Sequence, residues 1–175
     1  IRKGFEDAHA EVEFRQQEAH QGDLIRMLRR ADIDAALTYD LEIPQDVQFE
    51  PFLTLAPHAL VHPDHEFAAK KSVSVKALAP LPLILLDLPF SSDYFMSLFQ
   101  AEGLRPNIRE RTGHVSMLRS MVANGFGYGL LNVPSMNADA PDGKPLCYLP
   151  IRGDVRPVRL GLATMASDRT SRVLE

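Results

Sequence analysis

The stretch from Thr112 to Leu131, TGHVSMLRSMVANGFGYGLL, constrains the fold more tightly than any other part of the chain. Val115, Leu118 and Val122 recur at i, i+3 and i+7, which predicts an amphipathic helix with these three on its buried face. Gly125 follows Asn124 where helices end in a left-handed residue, a conformation open to glycine because it lacks a Cβ. Tyr128 to Leu131 is then short, apolar and glycine-containing, the pattern of a central strand with other backbone close against it. Upstream, Thr112-Gly113 is a tight turn whose backbone N–H groups point into any cleft in front of the helix. This helix entrance is therefore expected to form one wall of a small-molecule site. The run Gly125-Phe126-Gly127-Tyr128-Gly129 is not a dinucleotide fingerprint, which follows a strand and opens a helix. Here the order is reversed.

Composition narrows the function classes. With 175 residues, 45% hydrophobic and 24% charged, the chain can build one sizeable core or two small lobes. No apolar run approaches the roughly 20 residues that span a bilayer, and no signal-peptide pattern precedes the first expected helix. The lone cysteine, Cys147, excludes an internal disulfide and suits a reducing cytosol, so a cytoplasmic location is expected. A formal net charge of −4 counts against a DNA-contacting surface in this segment, since that needs clustered lysine and arginine. Both ends look cut. Ile1 to Phe5 reads as the second half of a helix and Arg169 to Glu175 as the first turns of another, so a longer protein is expected.

Val12 and Phe14 alternate with charged residues as a half-buried strand, and Glu18 to Gly22 is a polar turn. A helix follows with Leu24 and Leu28 inward and Arg26, Arg29 and Arg30 outward, the latter a solvated face. Ile33 to Tyr39 returns as a strand, so this opening predicts a βαβ unit with parallel strands. Asp40 to Asp46 is a connector. Val47 to Val61 is strand-rich, Val75 to Ala79 a short helix, and Leu83 to Leu86 an apolar strand. Ser91 or Ser92 is expected to cap a helix from Asp93 to Ala101, which Gly103 ends. Ile108 to Arg111, Leu146 to Ile151 and Val155 to Thr164 are further strands, and Asn137 to Pro145 is a turn-rich loop. Two α/β lobes result: residues 1–41 plus 150–175, and residues 45–146. Two crossings near 40–44 and 147–150 form the hinge.

Several segments resemble one family in its own order. Phe5 to Leu37, ending Arg30-Ala31-Asp32-Ile33-Asp34-Ala35-Ala36-Leu37, is similar to the first lobe of LysR-type transcriptional regulators. Leu60-Val61-His62-Pro63-Asp64-His65-Glu66-Phe67-Ala68 is similar to their "lvpxxHplA" strand and loop. Met121 to Leu131 is similar to their "lVaaGlGiallP" element. The resemblance covers nearly the whole chain and is to the C-terminal effector-binding domain. It implies an α/β, periplasmic-binding-protein type II-like fold, a small inducer in the interlobe cleft, and a homodimer or tetramer built lobe one against lobe two. It also implies DNA binding through a winged helix-turn-helix that is not in this chain. By the same resemblance, effector contacts fall on Ala19-His20-Gln21 in the first lobe. In the second they fall on Asp87 to Ser92, including Ser91 and Ser92, and on Gly113-His114-Val115. The chain departs from the family pattern in two ways: the first strand and its polar loop lie before Ile1, and position 114 holds histidine where Ser or Thr is common.

The residues themselves leave alternatives open. His114 at a helix start can donate to a carboxylate or carbonyl ligand with help from the helix N-terminus, or simply be an exposed first-turn residue. Ser91 and Ser92 can contact an effector or only cap, and His20 and Gln21 occupy a turn that would be polar without function. Helix N-termini facing a cleft point to an anionic effector. No metal site is expected of His58, His62 and His65: prolines break any helix, and residues 58 and 62 on one strand face stand roughly 13 Å apart. No cofactor motif is present, and with no nucleophile elbow or Walker loop the chain is not expected to be an enzyme. The alternative to a regulator's sensing domain is a free-standing solute-binding protein of the same fold.

Overall fold

The computed structural model describes residues 2–133 and 139–166. Its strands divide between two sheets. The smaller takes β1 (Ala36–Tyr39), β2 (Val47–Leu55) and β9 (Val158–Met165) in the order β1-β9-β2, both neighbours running antiparallel to β9. The larger is built from β3 (His58–Val61), β4 (Val73–Ser74), β5 (Pro82–Leu86), β6 (Asn107–Thr112), β7 (Tyr128–Leu131) and β8 (Cys147–Arg152), in the order β4-β8-β3-β7-β5-β6. Within it β5 runs parallel to both β6 and β7. The helices are α1 (Arg2–Ala8), α2 (Gln21–Arg29), α3 (Val75–Leu78), α4 (Ser91–Gln100) and α5 (Val115–Ala123). No helix among the described residues is long and apolar enough to cross a membrane.

The larger sheet holds the main core. Leu60, Val61, Leu83, Ile84 and Leu85 are buried from both faces, against Phe95, Phe99 and Leu118 of the helices above and below. This is why β3 and β5 are continuous apolar runs rather than alternating ones. The smaller sheet has its own cluster, where Ile25 and Leu28 of α2 pack on Ala36, Val47 and Ala163.

The helix-to-strand stretch forms as its pattern dictates. Leu118 and Val122 are fully buried, and Gly125 stands at φ 78° just past the end of α5. The Gly125 N–H donates to the Val122 carbonyl (3.0 Å) and the Phe126 N–H to the Met121 carbonyl (3.1 Å). Those two bonds satisfy carbonyls that the helix end would leave unpaired. Val115, expected on the buried face, is instead 40% exposed in the first turn of α5, and burial begins at Leu118. The close neighbour of Gly129 is the Leu118 side chain rather than backbone.

Other expectations are corrected. No described residue pairs with Val12–Phe14, and β1 pairs antiparallel with β9, so no parallel βαβ unit forms there. Phe14 packs instead on α1, its ring 5.6 Å from that of Phe5. In α2, Ile25 rather than Leu24 joins Leu28 in full burial. Ser91 and Ser92 do not cap α4 but lie in its first turn, and the cap position falls to Phe90. Ser74 caps α3, accepting from the Ala77 N–H at 3.3 Å. The strand Val47–Leu55, expected in the second lobe, pairs with β9 in the smaller sheet, while Cys147–Arg152 belongs wholly to the larger. The chain therefore changes sheet between Leu55 and His58 and between Arg152 and Val158, not at 40–44 and 147–150. The expected helix at 169–175 and the loop residues 137–138 lie outside the described residues.

Candidate functional site

Strands β5 and β6 end in register, Leu86 beside Thr112, at one edge of the larger sheet. The Asp87 N–H adds a last rung, donating to the Thr112 carbonyl at 2.8 Å. Both strands then turn into helices, so the entrances of α4 and α5 open side by side at the carboxyl ends of parallel strands. Ligands of open α/β sheets collect at such an edge.

Each entrance is built differently. Phe90 takes up φ 65°, ψ −31° at the start of α4, a conformation that costs a bulky residue about 1–3 kcal/mol. The Ser91 and Ser92 N–H groups both donate to the Leu88 carbonyl (3.1 and 3.2 Å), and the Ser92 hydroxyl donates weakly to the same oxygen at 3.4 Å. At α5 the His114 N–H donates to the Thr112 hydroxyl at 3.2 Å, and the exposed imidazole makes no capping bond. The first turn of α5 thus presents N–H groups that no side chain caps, with the positive end of the helix dipole behind them, whereas at α4 the Leu88 carbonyl already takes those of Ser91 and Ser92. The Arg111 guanidinium donates to the Asp87 carboxylate at 3.2 Å across the two strand ends, both side chains about half-exposed. A Cβ at Gly113 would meet only the Asp87 carbonyl oxygen, at 4.0 Å, so packing does not demand glycine there.

The structure thus brings Asp87, Ser91, Ser92, Gly113, His114 and Val115 to one edge. His20 and Gln21 lie at the entrance of α2, over the smaller sheet. His20 is exposed and makes no side-chain cap. The Gln21 carboxamide is already engaged, donating to the Leu41 carbonyl just past β1.

Five residues that the sequence reading gave no role hold the two crossings. Asp40, 9% exposed at the end of β1, accepts the Arg159 N–H and its guanidinium Nε, both at 2.7 Å, and Nη2 of Arg156 at 3.4 Å. Burial pushes its carboxyl pKa up, but the bonds from Arg159 and the charges of both arginines outweigh that and hold it below the usual carboxylate value. Tyr94, in the first turns of α4, donates its hydroxyl to the Arg156 carbonyl at 2.7 Å. The Asn132 carboxamide donates to the Tyr94 hydroxyl (3.1 Å) and to the Leu55 carbonyl (3.2 Å). Burial raises the Tyr94 phenol pKa. The sole local signal for any of these is Asp40 itself, a carboxylate placed straight after an apolar strand.

The histidine-rich turn lies elsewhere. A hollow of about 130 Å³, lined by His62, His65, Leu81, Pro82, Gly125, Gly127 and Tyr128, sits at the opposite end of β5. The ring Nδ1 atoms of His62 and His65 each accept a backbone N–H of their own turn at 3.1 Å. Among the described residues no group of three or more His, Cys, Asp or Glu is placed to hold a metal ion.

Comparison with known proteins fits this architecture. The family model "LysR substrate binding domain" matches residues 1–175. An uncharacterized HTH-type transcriptional regulator, YfeR of Shigella flexneri, is 28% identical over 139 residues, 79% of this chain and 44% of that protein. The crystal structure of HinK, a LysR family transcriptional regulator from Pseudomonas aeruginosa, is 32% identical with a TM-score of 0.91. The match covers 98% of this chain and 60% of HinK. This chain thus spans about half the length of such regulators. Two effector-binding domains share the fold at lower identity: QuiR in complex with shikimate (18%, TM-score 0.82, 98% of this chain and 82% of that one) and BenM with its effector benzoate (19%, TM-score 0.80, 97% and 77%). The chain belongs to the LysR substrate-binding domain family, a family of transcription regulators rather than enzymes, with a periplasmic-binding-protein type II-like fold.

Proposed function

We propose that this chain is the effector-sensing part of a LysR-type regulator and that its effector is a small carboxylate held where α4 and α5 begin. The observation that carries this is the entrance of α5, uncapped by any side chain, beside that of α4 at the in-register ends of β5 and β6. Backbone N–H groups and dipoles of that kind favour an anion. Shikimate and benzoate, found on the same fold in QuiR and BenM, are carboxylates and support that class. Similarity to regulators favours this over a solute-binding protein serving a transporter.

In this reading residues 2–55 and 158–166 form one lobe and 58–152 the other. His20 and Gln21 approach the ligand from the first, and Asp87, Ser91, Ser92, Gly113, His114 and Val115 from the second. The longer protein, a cytoplasmic homo-oligomer, would contact DNA through a separate domain. The effector acts only if it prefers one arrangement of the lobes, since equal affinity for both shifts nothing.

The test is thermal unfolding across a panel of small carboxylates with neutral and cationic counterparts. A ligand at about 100 times its Kd adds roughly 2.7 kcal/mol, a rise of roughly 5–10 °C for a chain of this size. His114→Ala and Ser92→Ala should each shrink the rise. A panel in which only neutral or cationic compounds stabilise the protein sinks the carboxylate assignment.

A further inference from the structure

The polar circuit at the crossings does more than close the chain. Its members come from α4, from the segment after β7, and from both crossings. The Tyr94 hydroxyl gives its one proton to the Arg156 carbonyl and takes one from Asn132, whose second amide proton goes to the Leu55 carbonyl. Of the three side-chain polar hydrogens of that pair, one joins its members and the other two hold a crossing each to the larger sheet: Leu55 at the first, Arg156 at the second. From Arg156 the circuit continues into the smaller sheet, where its guanidinium donates to the Asp40 carbonyl (3.1 Å) and carboxylate (3.4 Å). Tyr94 is 7% exposed, so its hydroxyl bonds form largely out of water, where losing one leaves an unsatisfied group.

The same tyrosine is one helical turn from the candidate site. Its own N–H donates at 3.0 Å to the carbonyl of Phe90, the residue held at φ 65°. A rearrangement of Phe90 to Ser92 has a single backbone hydrogen bond to cross before it reaches the residue whose side chain holds the second crossing directly and the first through Asn132.

We infer that Tyr94 and Asn132 form a clamp that sets the angle between the two lobes and ties that angle to the entrance of α4. They are positioning residues: they act through the crossings, not on a ligand. The inference rests on the two-lobe reading but needs no effector to be tested.

The experiment measures distances between spin labels in this chain by pulsed electron resonance, with Cys147→Ser to remove the native thiol. Labels at Gln48→Cys on β2 and Lys76→Cys on α3 report between the sheets. Labels at Lys76→Cys and Gln100→Cys report within the larger one. Tyr94→Phe, which keeps the buried ring, should broaden the between-sheet distribution and leave the within-sheet one unchanged. Asn132→Asp, equal in shape but unable to donate, should do the same, and the double variant should broaden by less than the two single effects summed, because both remove the bond between Asn132 and Tyr94. Phe90→Gly, which frees the strained entrance, should shift the between-sheet distance when Tyr94 is present and have no further effect in Tyr94→Phe. An unchanged between-sheet distribution in Tyr94→Phe overturns the inference, as does broadening of both pairs. A Phe90→Gly shift that survives in Tyr94→Phe overturns the link to α4. A metabolite panel that finds no ligand leaves all these outcomes standing, because every distance is read without one.

Discussion

Gly129 offers the sharpest test of how the central strand is packed. It lies on β7 between Tyr128 and Leu130, both 1% exposed, and its backbone is not in the left-handed region. A methyl group on it would sit 2.5 Å from Leu118 Cδ2, 3.1 Å from Cγ and 3.4 Å from Cδ1. Carbon atoms prefer about 3.5–4.0 Å, so Leu118 would have to retreat by about 1 Å. It has nowhere to go, being 0% exposed in the main core. Gly129→Ala should therefore cost about 1–3 kcal/mol, the range for overpacking, and lower Tm by roughly 2–12 °C. Leu118→Ala alone should cost about 2–5 kcal/mol through lost transfer energy and the cavity left behind. In the double variant the alanine methyl at 129 enters space that Leu118 vacated, so the combined loss should fall short of the sum by about 0.5–3 kcal/mol. Urea unfolding followed by circular dichroism at 25 °C measures all four corners of the cycle. Additive losses, or a Gly129→Ala midpoint equal to the wild type, would refute the steric account.

Gly125→Ala isolates backbone conformation, because an added Cβ there meets nothing within 4 Å while φ stays at 78°. It should cost about 1 kcal/mol, and Gly125→Asn less, in the same urea assay. Asp40→Asn should lose about 1–2 kcal/mol at pH 7, the low side for charged hydrogen bonds because the Arg159 side chain is half-exposed and that of Arg156 more so. Its pH dependence follows from the sign of the shift. The folded Asp40 pKa lies below its unfolded value, so its contribution is complete above the unfolded value of about 3.9 and is lost as pH falls through the folded one. Unfolding titrations from pH 6 to pH 2 should therefore fall less steeply for Asp40→Asn, and identical slopes would remove Asp40 as the source. The carboxylate panel and the spin-label distances complete the set.

How much was legible varies by element. The Thr112–Leu131 stretch specified its own helix, stop and strand, since Leu118, Val122 and Gly125 each act through local periodicity or a single backbone angle. Asp87 and Gly113 could be placed at strand ends from pattern alone, but their adjacency could not, because it depends on β5 and β6 being neighbours in parallel register. The capping role expected of Ser91 and Ser92 failed for a reason outside the pattern: Phe90 enters the helix with positive φ, and the Leu88 carbonyl takes both serine N–H groups. Nothing local marks Phe90 for that conformation.

The sequence by itself determined that the apolar runs of β3, β5 and β7 lie in a sheet, where α5 stops, and the family to which the ordered motifs belong. These follow from interactions within a few residues of chain, where spacing alone decides which side chains share a face. Only the tertiary structure decided that Val47–Leu55 joins the smaller sheet, that β1 finds β9 as its antiparallel partner, and that Asp40, Tyr94, Asn132, Arg156 and Arg159 meet at the crossings. Those partners are separated by 38 to 119 residues along the chain, and strand pairing is set by which edges meet once the cores collapse. No periodicity carries that information.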